Sequence, residues 1–314
     1  MGNNASSLEM NAHAEIRRAG GDRHSNLATT VQDTRYDFTG SHSPQRQRFE
    51  MSSTLTMKAP NGQPAAVTVY RLILDCDPGT IVVGDRYTCR SVSVQHDNQT
   101  PASVPSLAGW NYLFRHRSGE RDGAGRTLGI DHAPFEHLVD ANGTALSELD
   151  SYHVYNAFID FHSFQIFTDP TSAGAGIQNL QEVGSRIVHA ASHSRPDTDL
   201  GEKVGAGSWF ENGEVTLEFI GVGRTGDRAC AIIAVDSGAS SFRMLMKPVP
   251  QVEVRTEGGS HYWATIYKDL ETMWIRRANL TELVVSETLI PGTAEPVHGV
   301  AERSIVVTNV TDAA

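Results

Sequence analysis

From Phe49 to Val310 the chain is written in short runs of β-branched and aromatic residues cut by turn signals, and this limits its fold more than any other feature. Phe49–Met57 alternates roughly at period two, the repeat of a strand with one buried face. Asn61-Gly62 is a strong hairpin signal, because both residues tolerate positive φ. Val67–Leu74 reads as the next strand, Asp77-Pro78-Gly79 as turn chemistry, and Ile81–Val94 as one or two further strands. After a Gly/Ser/Ala-rich joint at Thr171–Gly176 the texture resumes. Strands are expected at Gly213–Val222, Arg228–Val235, Ser241–Lys247, Val252–Thr256, His261–Asp269, Met273–Thr281, Leu283–Leu289 and Ser304–Val310. Turn signals such as Thr225-Gly226-Asp227 and Glu257-Gly258-Gly259 separate them. Short strands joined by tight turns make an antiparallel meander. The expected fold is therefore mainly β, a barrel, sandwich or open curved sheet, with one or two short helices and a disordered N-terminal tail.

Residues 1–45 are rich in Asn, Ser, Gly, Arg and His and hold few large apolar side chains, so they read as a flexible tail. A short helix over Ser7–Arg18 is the most they offer, and alone it is marginal. Residues 46–170 form a β-rich region whose long loop carries Trp110, Tyr112 and Phe114 as anchors; residues 171–314 form an antiparallel region able to share one domain with it. Within the first of these, Ser147-x-x-Asp150 and the spacing of Leu149, Val154 and Phe158 favour a helix at the start of the aromatic run Tyr152–Phe164, with strand as the close alternative.

The 314 residues are 39% hydrophobic and 20% charged, ordinary for a folded chain. The net charge of −11, with Lys and Arg nowhere clustered beyond pairs such as Arg276-Arg277, excludes a nucleic-acid binder. An acidic surface is a poor fit to an anionic membrane, no apolar run is long enough to span a bilayer, and Met1–Ala19 is not a secretory signal. Three cysteines, Cys76, Cys89 and Cys230, match a reduced compartment. The expected location is the cytoplasm, with no membrane partner and with a homo-oligomer left open. No Gly-x-Ser-x-Gly elbow, phosphate loop or Cys-x-x-Cys is present.

The second half carries Val204-Gly205-Ala206-Gly207-Ser208-Trp209, then meandering strands, then Lys268-Asp269-Leu270-Glu271-Thr272-Met273-Trp274. That texture resembles bacterial open-β "bag" proteins, which hold lipid or other apolar ligands. The likeness covers about a third of the chain.

Two readings of function follow. In the first, a curved β scaffold binds a small apolar or aromatic molecule among Trp209, Phe219, Tyr262, Trp263 and Trp274, with Met244 and Met246 nearby. Tyr262 and Trp263 are expected to diverge, one into the core and one into a cavity. In the second, the same scaffold is a small-molecule enzyme of isomerase, cyclase or lyase type. Four of the thirteen histidines fall between residues 131 and 162, and His137, His153, Asp160 and His162 are the candidate acid–base set. On a strand Asp160 and His162 would share a face, so with a third His they would supply corners of a Zn or Fe site; no cofactor is otherwise expected. The competing accounts are ordinary core packing for the rings, a surface loop for His137, a hydrogen-bonded place in the aromatic layer for His162, and a local cap or pair for Asp160.

Overall fold

Alternation becomes strand wherever the structure, a computed structural model, describes the chain: residues 34–79, 84–114, 130–171, 173–195, 207–249 and 251–311. The suggested Ser7–Arg18 helix and residues 1–33 of the tail lie outside these. The strands are β1 Gln47–Lys58, β2 Pro64–Asp77, β3 Asp85–His96, β4 Ala102–Ser103, β5 Asn111–Phe114, β6 Arg186–Val188, β7 Trp209–Glu211, β8 Thr216–Thr225, β9 Arg228–Asp236, β10 Ser240–Val249, β11 Val252–Asp269, β12 Ile275–Leu289 and β13 Val297–Asn309. Among the described residues one α-helix, α1 (Glu148–Thr168), stands between β5 and β6.

All thirteen strands join one antiparallel sheet, ordered β4-β3-β2-β1-β13-β12-β11-β9-β8-β6, with β5 beside β3, β10 beside β11 and β7 beside β10. The path does not return on itself, so the sheet is open. Pairing of β1 with β13 puts strands from the 46–170 and 171–314 regions into one sheet. α1 touches β2, β3 and β11, although β3 and β11 lie five steps apart along the sheet. A helix only about 10 Å across reaches both because the sheet curves around it.

The aromatic run is helical throughout because its large apolar side chains fall on several sides, the composition of a largely enclosed helix rather than of a strand with one wet face. Val154, Tyr155, Phe158, Phe161, Phe164 and Phe167 are buried on several sides of it. Ser147 caps it, accepting from the Asp150 N–H at 3.0 Å and donating to Asp150 Oδ2 at 2.6 Å. Tyr112 and Phe114 are buried in β5, and Trp110 stacks on Tyr112 at 4.7 Å.

Two expectations are corrected in the second half. Glu257-Gly258-Gly259 is not a turn: β11 runs unbroken for 18 residues, with β10 beside its first part and β9 beside its last. A side chain at 258 would sit 2.3 Å from the Val285 carbonyl oxygen and 2.9 Å from the Phe242 ring, so glycine lets that ring lie across the strand. Likewise β12 is continuous from Ile275 to Leu289.

Residues 34–45 are not free tail. Phe38 is buried, edge-on to Phe219 at 5.4 Å, and the Tyr36 N–H donates to the Gln181 carbonyl. The Lys268–Trp274 segment clasps this strap: the Ser43 N–H donates to Thr272 O, and Trp274 Nε1 donates to Ser43 O at 3.1 Å. His42 lies on the Trp274 ring with centroids 4.1 Å apart and meets Asp169 Oδ1 at 2.9 Å; buried Lys268 donates to Met273 O at 2.7 Å. The motif that resembled an apolar-ligand protein is here a structural buckle.

Candidate functional site

Strand register lays one row of side chains across the inner face of the sheet. Tyr262 of β11 faces Glu282 of β12, Glu282 faces Arg303 of β13, Arg303 faces Leu55 of β1, and Leu55 faces Thr68 of β2. One pleat towards the core the row reads Ala264, Leu280, Ile305, Ser53 and Tyr70, all buried. One pleat the other way it reads Ser260, Val284, Ala301, Met57 and Ala66, and exposure grows from Ser260 outward. The charged row therefore marks where the core ends and an open, half-covered trough begins.

Charges at this boundary are held by one another. Arg303 donates through Nη1 to Asp160 of α1 and through Nε to Glu282 Oε2 at 2.7 Å, and Ser260 Oγ donates to Glu282 Oε1 at 2.5 Å. The Asp160 and Arg303 side chains are only 13% and 15% exposed, so water screens them little. Burial lifts the Asp160 carboxyl to about 7, Arg303 opposes that rise, and Glu282 adds to it. Burial works to lower the Arg303 guanidinium, but Asp160 and Glu282 more than offset it and hold it well above its ordinary value. Burial, helped by Arg303, pulls His153 down to about 4, so its imidazole is neutral near pH 7. Tyr152 is pushed up to about 12, chiefly by burial. Tyr262 is also raised by burial, with Glu282 and Asp160 adding; its hydroxyl donates to Asn212 Oδ1 at 3.1 Å.

The helix supplies the opposite wall. Tyr152, Asn156, Ile159, Ser163 and Ile166 recur at helical spacing and are half-buried, with His153 and Asp160 along one border of the stripe. Beyond the charged row the face is mixed, with Ser260, Thr256, Ser286 and Thr288 set among apolar side chains. Phe242 and Met244 of β10 oppose Gly258 and Thr256, and with Val284, Ala301 and Met57 they present apolar atoms on the same face. These residues are partly exposed.

Of the proposed acid–base set, His153 and Asp160 both border this row, two helical turns (about 10 Å) apart, and the other two do not. His137 is exposed beyond a 3-10 turn. His162 lies two residues from Asp160, which on a helix turns it about 200° away. It is wholly buried; Nε2 accepts from the Tyr112 hydroxyl at 2.7 Å, and Nδ1 meets Gln165 Oε1 at 2.6 Å. Asp160 and His162 therefore share no face, and no group of three or more His, Cys, Asp or Glu able to hold a metal occurs among the described residues.

The proposed rings do not assemble into one pocket either. Phe219 is core under the strap, Trp274 is the buckle, and Trp209 lies at the edge under the Arg195 guanidinium, 4.7 Å away. Tyr262 and Trp263 diverge, but not as one core ring and one cavity ring: Tyr262 turns to the inner face and packs against the core, while Trp263 stands 37% exposed on the outer face. Glu282, Arg303 and Tyr152 carried no expectation of a site from the sequence. A signal for two of them was present, since Glu282 between Leu280 and Val284, and Arg303 between Ala301 and Ile305, place charges at inward positions of alternating strands.

Neither a protein-family model nor a curated protein sequence matches the chain. Among solved structures it is similar to two mutants of Rh. blastica porin, each at 7% identity and a TM-score of 0.22, over 84% of this chain and 99% of the porin. Porins as a class are membrane β-barrels. The expectation of a cytoplasmic chain with no membrane partner is corrected on this finding and withdrawn. A likeness this low carries no argument about barrel closure, a pore or a location, and no described helix is long and apolar enough to cross a membrane.

Proposed function

We propose that the chain is a β scaffold that holds a small, largely apolar molecule in the inner-face trough, with the molecule's polar end at the Asp160–Arg303–Glu282 row. The observation that carries this reading is the position of that row. Buried ion pairs rarely add net stability over apolar replacements, so a three-charge cluster at the lip of a partly apolar trough calls for another role. Two carboxylates against one guanidinium favour a head group that donates hydrogen bonds, an amine or a hydroxyl, over a carboxylate. Phe242, Met244 and Val284 would take the apolar body.

The test is titration with dodecylamine, dodecanol and laurate, each displacing an apolar fluorescent dye. Saturable binding at roughly micromolar Kd is expected, with the amine and alcohol ahead of the acid. Met244→Arg should weaken it by about tenfold or more, roughly the cost of placing a charge against the apolar body. Failure of all three probes to bind saturably would defeat the reading, as would indifference to Met244→Arg.

A second reading rests on Asp160 itself. A carboxyl lifted to about 7 and held against Arg303 at the lip of the trough is poised to take and return a proton near neutral pH, which suits an isomerase or lyase step on the bound molecule. Exchange of the α-protons of bound 2-dodecanone into heavy water, lost in Asp160→Asn with binding retained, would support it; no exchange above buffer would end it.

A further inference from the structure

On the outer face, three arginines converge on one carboxylate. Asp75 lies in β2, in register with Arg48 of β1 and Thr88 of β3, and points away from the core. Its side chain is 2% exposed, whereas Arg46, Arg48 and Arg90 above it are 54%, 46% and 46% exposed. Arg48 grips it with two donors, Nε to Oδ1 at 2.6 Å and Nη2 to Oδ2 at 3.1 Å. Arg90 Nε reaches Oδ2 at 2.5 Å, Arg46 Nη2 reaches the same oxygen at 3.0 Å, and Arg46 Nε lies 3.3 Å from Asp77.

Arg90 is there because β3 carries an extra residue. Ile73 faces Ser91 and Leu74 faces Cys89, which leaves Arg90 unmatched in the ladder. A bulge of this kind re-aims a side chain, here back over Asp75. One carboxylate is well satisfied by a single bidentate guanidinium, so the second and third arginines exceed what Asp75 needs. Around it Arg46, Arg48, Arg71, Arg86 and Arg90 share the face with Glu50, Asp75 and Asp77, five positive charges against three negative, in a chain whose net charge is −11. Both Nη groups of Arg90 and Nη1 of Arg48 meet no protein acceptor among the described residues. Guanidiniums pinned along one edge, with donors left on the other, form a preorganised fork for a tetrahedral oxyanion.

We propose that this outer-face cluster is an oxyanion site, taking a phosphate or sulfate group with Asp75 as the positioning residue that holds the three arginines together. The site is separate from the inner trough and does not depend on the reading given for it.

Calorimetric titration with inorganic phosphate and sulfate at low ionic strength, against matched chloride, tests this on the full chain. Wild type is expected to bind the oxyanions and not chloride. The decisive variant is Asp75→Asn. Mere attraction to positive charge predicts tighter binding once a carboxylate is removed, whereas a preorganised fork predicts weakening by about tenfold. Arg90→Lys keeps the charge and loses the fork, and is expected to weaken binding about fivefold even if Asp75→Asn fails to fold. Binding unchanged or tightened in either folded variant overturns the proposal, as does wild type that cannot tell phosphate from chloride. Phenyl phosphate binding more tightly than inorganic phosphate would identify the occupant as an ester on a larger molecule; equal binding would identify the free ion.

Discussion

His162 and Asp160 sit two residues apart on one buried helix and live in opposite regimes. His162 belongs to a closed chain of hydrogen bonds: Tyr112 to His162, His162 to Gln165, and Gln165 Nε2 to the Tyr87 hydroxyl at 2.5 Å, with Phe114 stacked on the imidazole at 3.8 Å. The polar atoms there meet one another and no net charge is buried, which is how an aromatic core tolerates polar atoms. Asp160 belongs to a cluster that buries charge and stays partly open. A polar group in the interior is thus no sign of a site in itself; a charged, incompletely sealed one at the margin of the core is the better marker.

The contrast breaks first if His162 can be removed cheaply. His162→Ala leaves a ring-sized hole and strips partners from Tyr112 and Gln165, so a loss of about 4 kcal/mol in denaturant unfolding is expected. Ligand binding at the trough, measured where the variant is still folded, should be unaffected. A loss under about 1 kcal/mol would mean that the network is not the seal described.

Arg303 comes next. Arg303→Met leaves Asp160 and Glu282 facing each other without a cation, at an expected cost of about 3 kcal/mol. Adding Asp160→Asn and Glu282→Gln to it should restore most of that loss, because the penalty is unpaired charge rather than lost packing. A triple variant no more stable than the single would show that Arg303 acts through its aliphatic stem.

The pH dependence sharpens the comparison further. Asp160 titrates near 7 in the folded chain against 3.8 ordinarily, so between about pH 4 and pH 7 the folded chain holds a proton the unfolded one has lost. Its contribution to stability is present at low pH and is lost as pH rises through that window. His153 and His189, both pulled to about 4 by burial, act oppositely: the unfolded chain holds their protons up to about 6.5, and stability is gained as pH rises. Asp160→Asn removes only the falling component. Its stability should climb more steeply than wild type from pH 4.5 to 6.5, by about 2 kcal/mol over the interval. Parallel curves would place the Asp160 carboxyl in its ordinary range.

How much of this was legible in the sequence follows the same division. Period-two patterns gave the antiparallel meander because one-faced burial writes itself into alternate residues, as in Val215, Leu217 and Phe219, all fully buried. The interior of β11 was missed because Gly258-Gly259 carries turn chemistry locally, and the reason for glycine, the Phe242 ring, lies on another strand. Helix was only half-read in Tyr152–Phe164, since a segment with large apolar side chains on several sides shows no period. Asp160 and His153 could be named as chemistry-bearing residues, but Glu282 and Arg303 come from β12 and β13, and only strand register brings them to Asp160.

The smallest effect tests the same lesson at neighbouring positions on β11. Tyr262 points inward, in the row with Glu282, and donates to Asn212; Trp263 points outward, 37% exposed, opposite Thr281. Tyr262→Phe keeps the ring and removes one half-buried hydrogen bond, so about 1 kcal/mol of stability should go. Trp263→Thr removes a far larger side chain, yet its ring lies on the surface beside His261, and threonine suits an exposed strand position. Its cost should stay within about 0.5 kcal/mol. Tyr262→Phe is also expected to alter probe binding at the trough, and Trp263→Thr is not. If the tryptophan change were the costlier one, or weakened dodecylamine binding, the outer face of β11 would have to be covered in solution, and the assignment of inner and outer roles along this strand would be reversed.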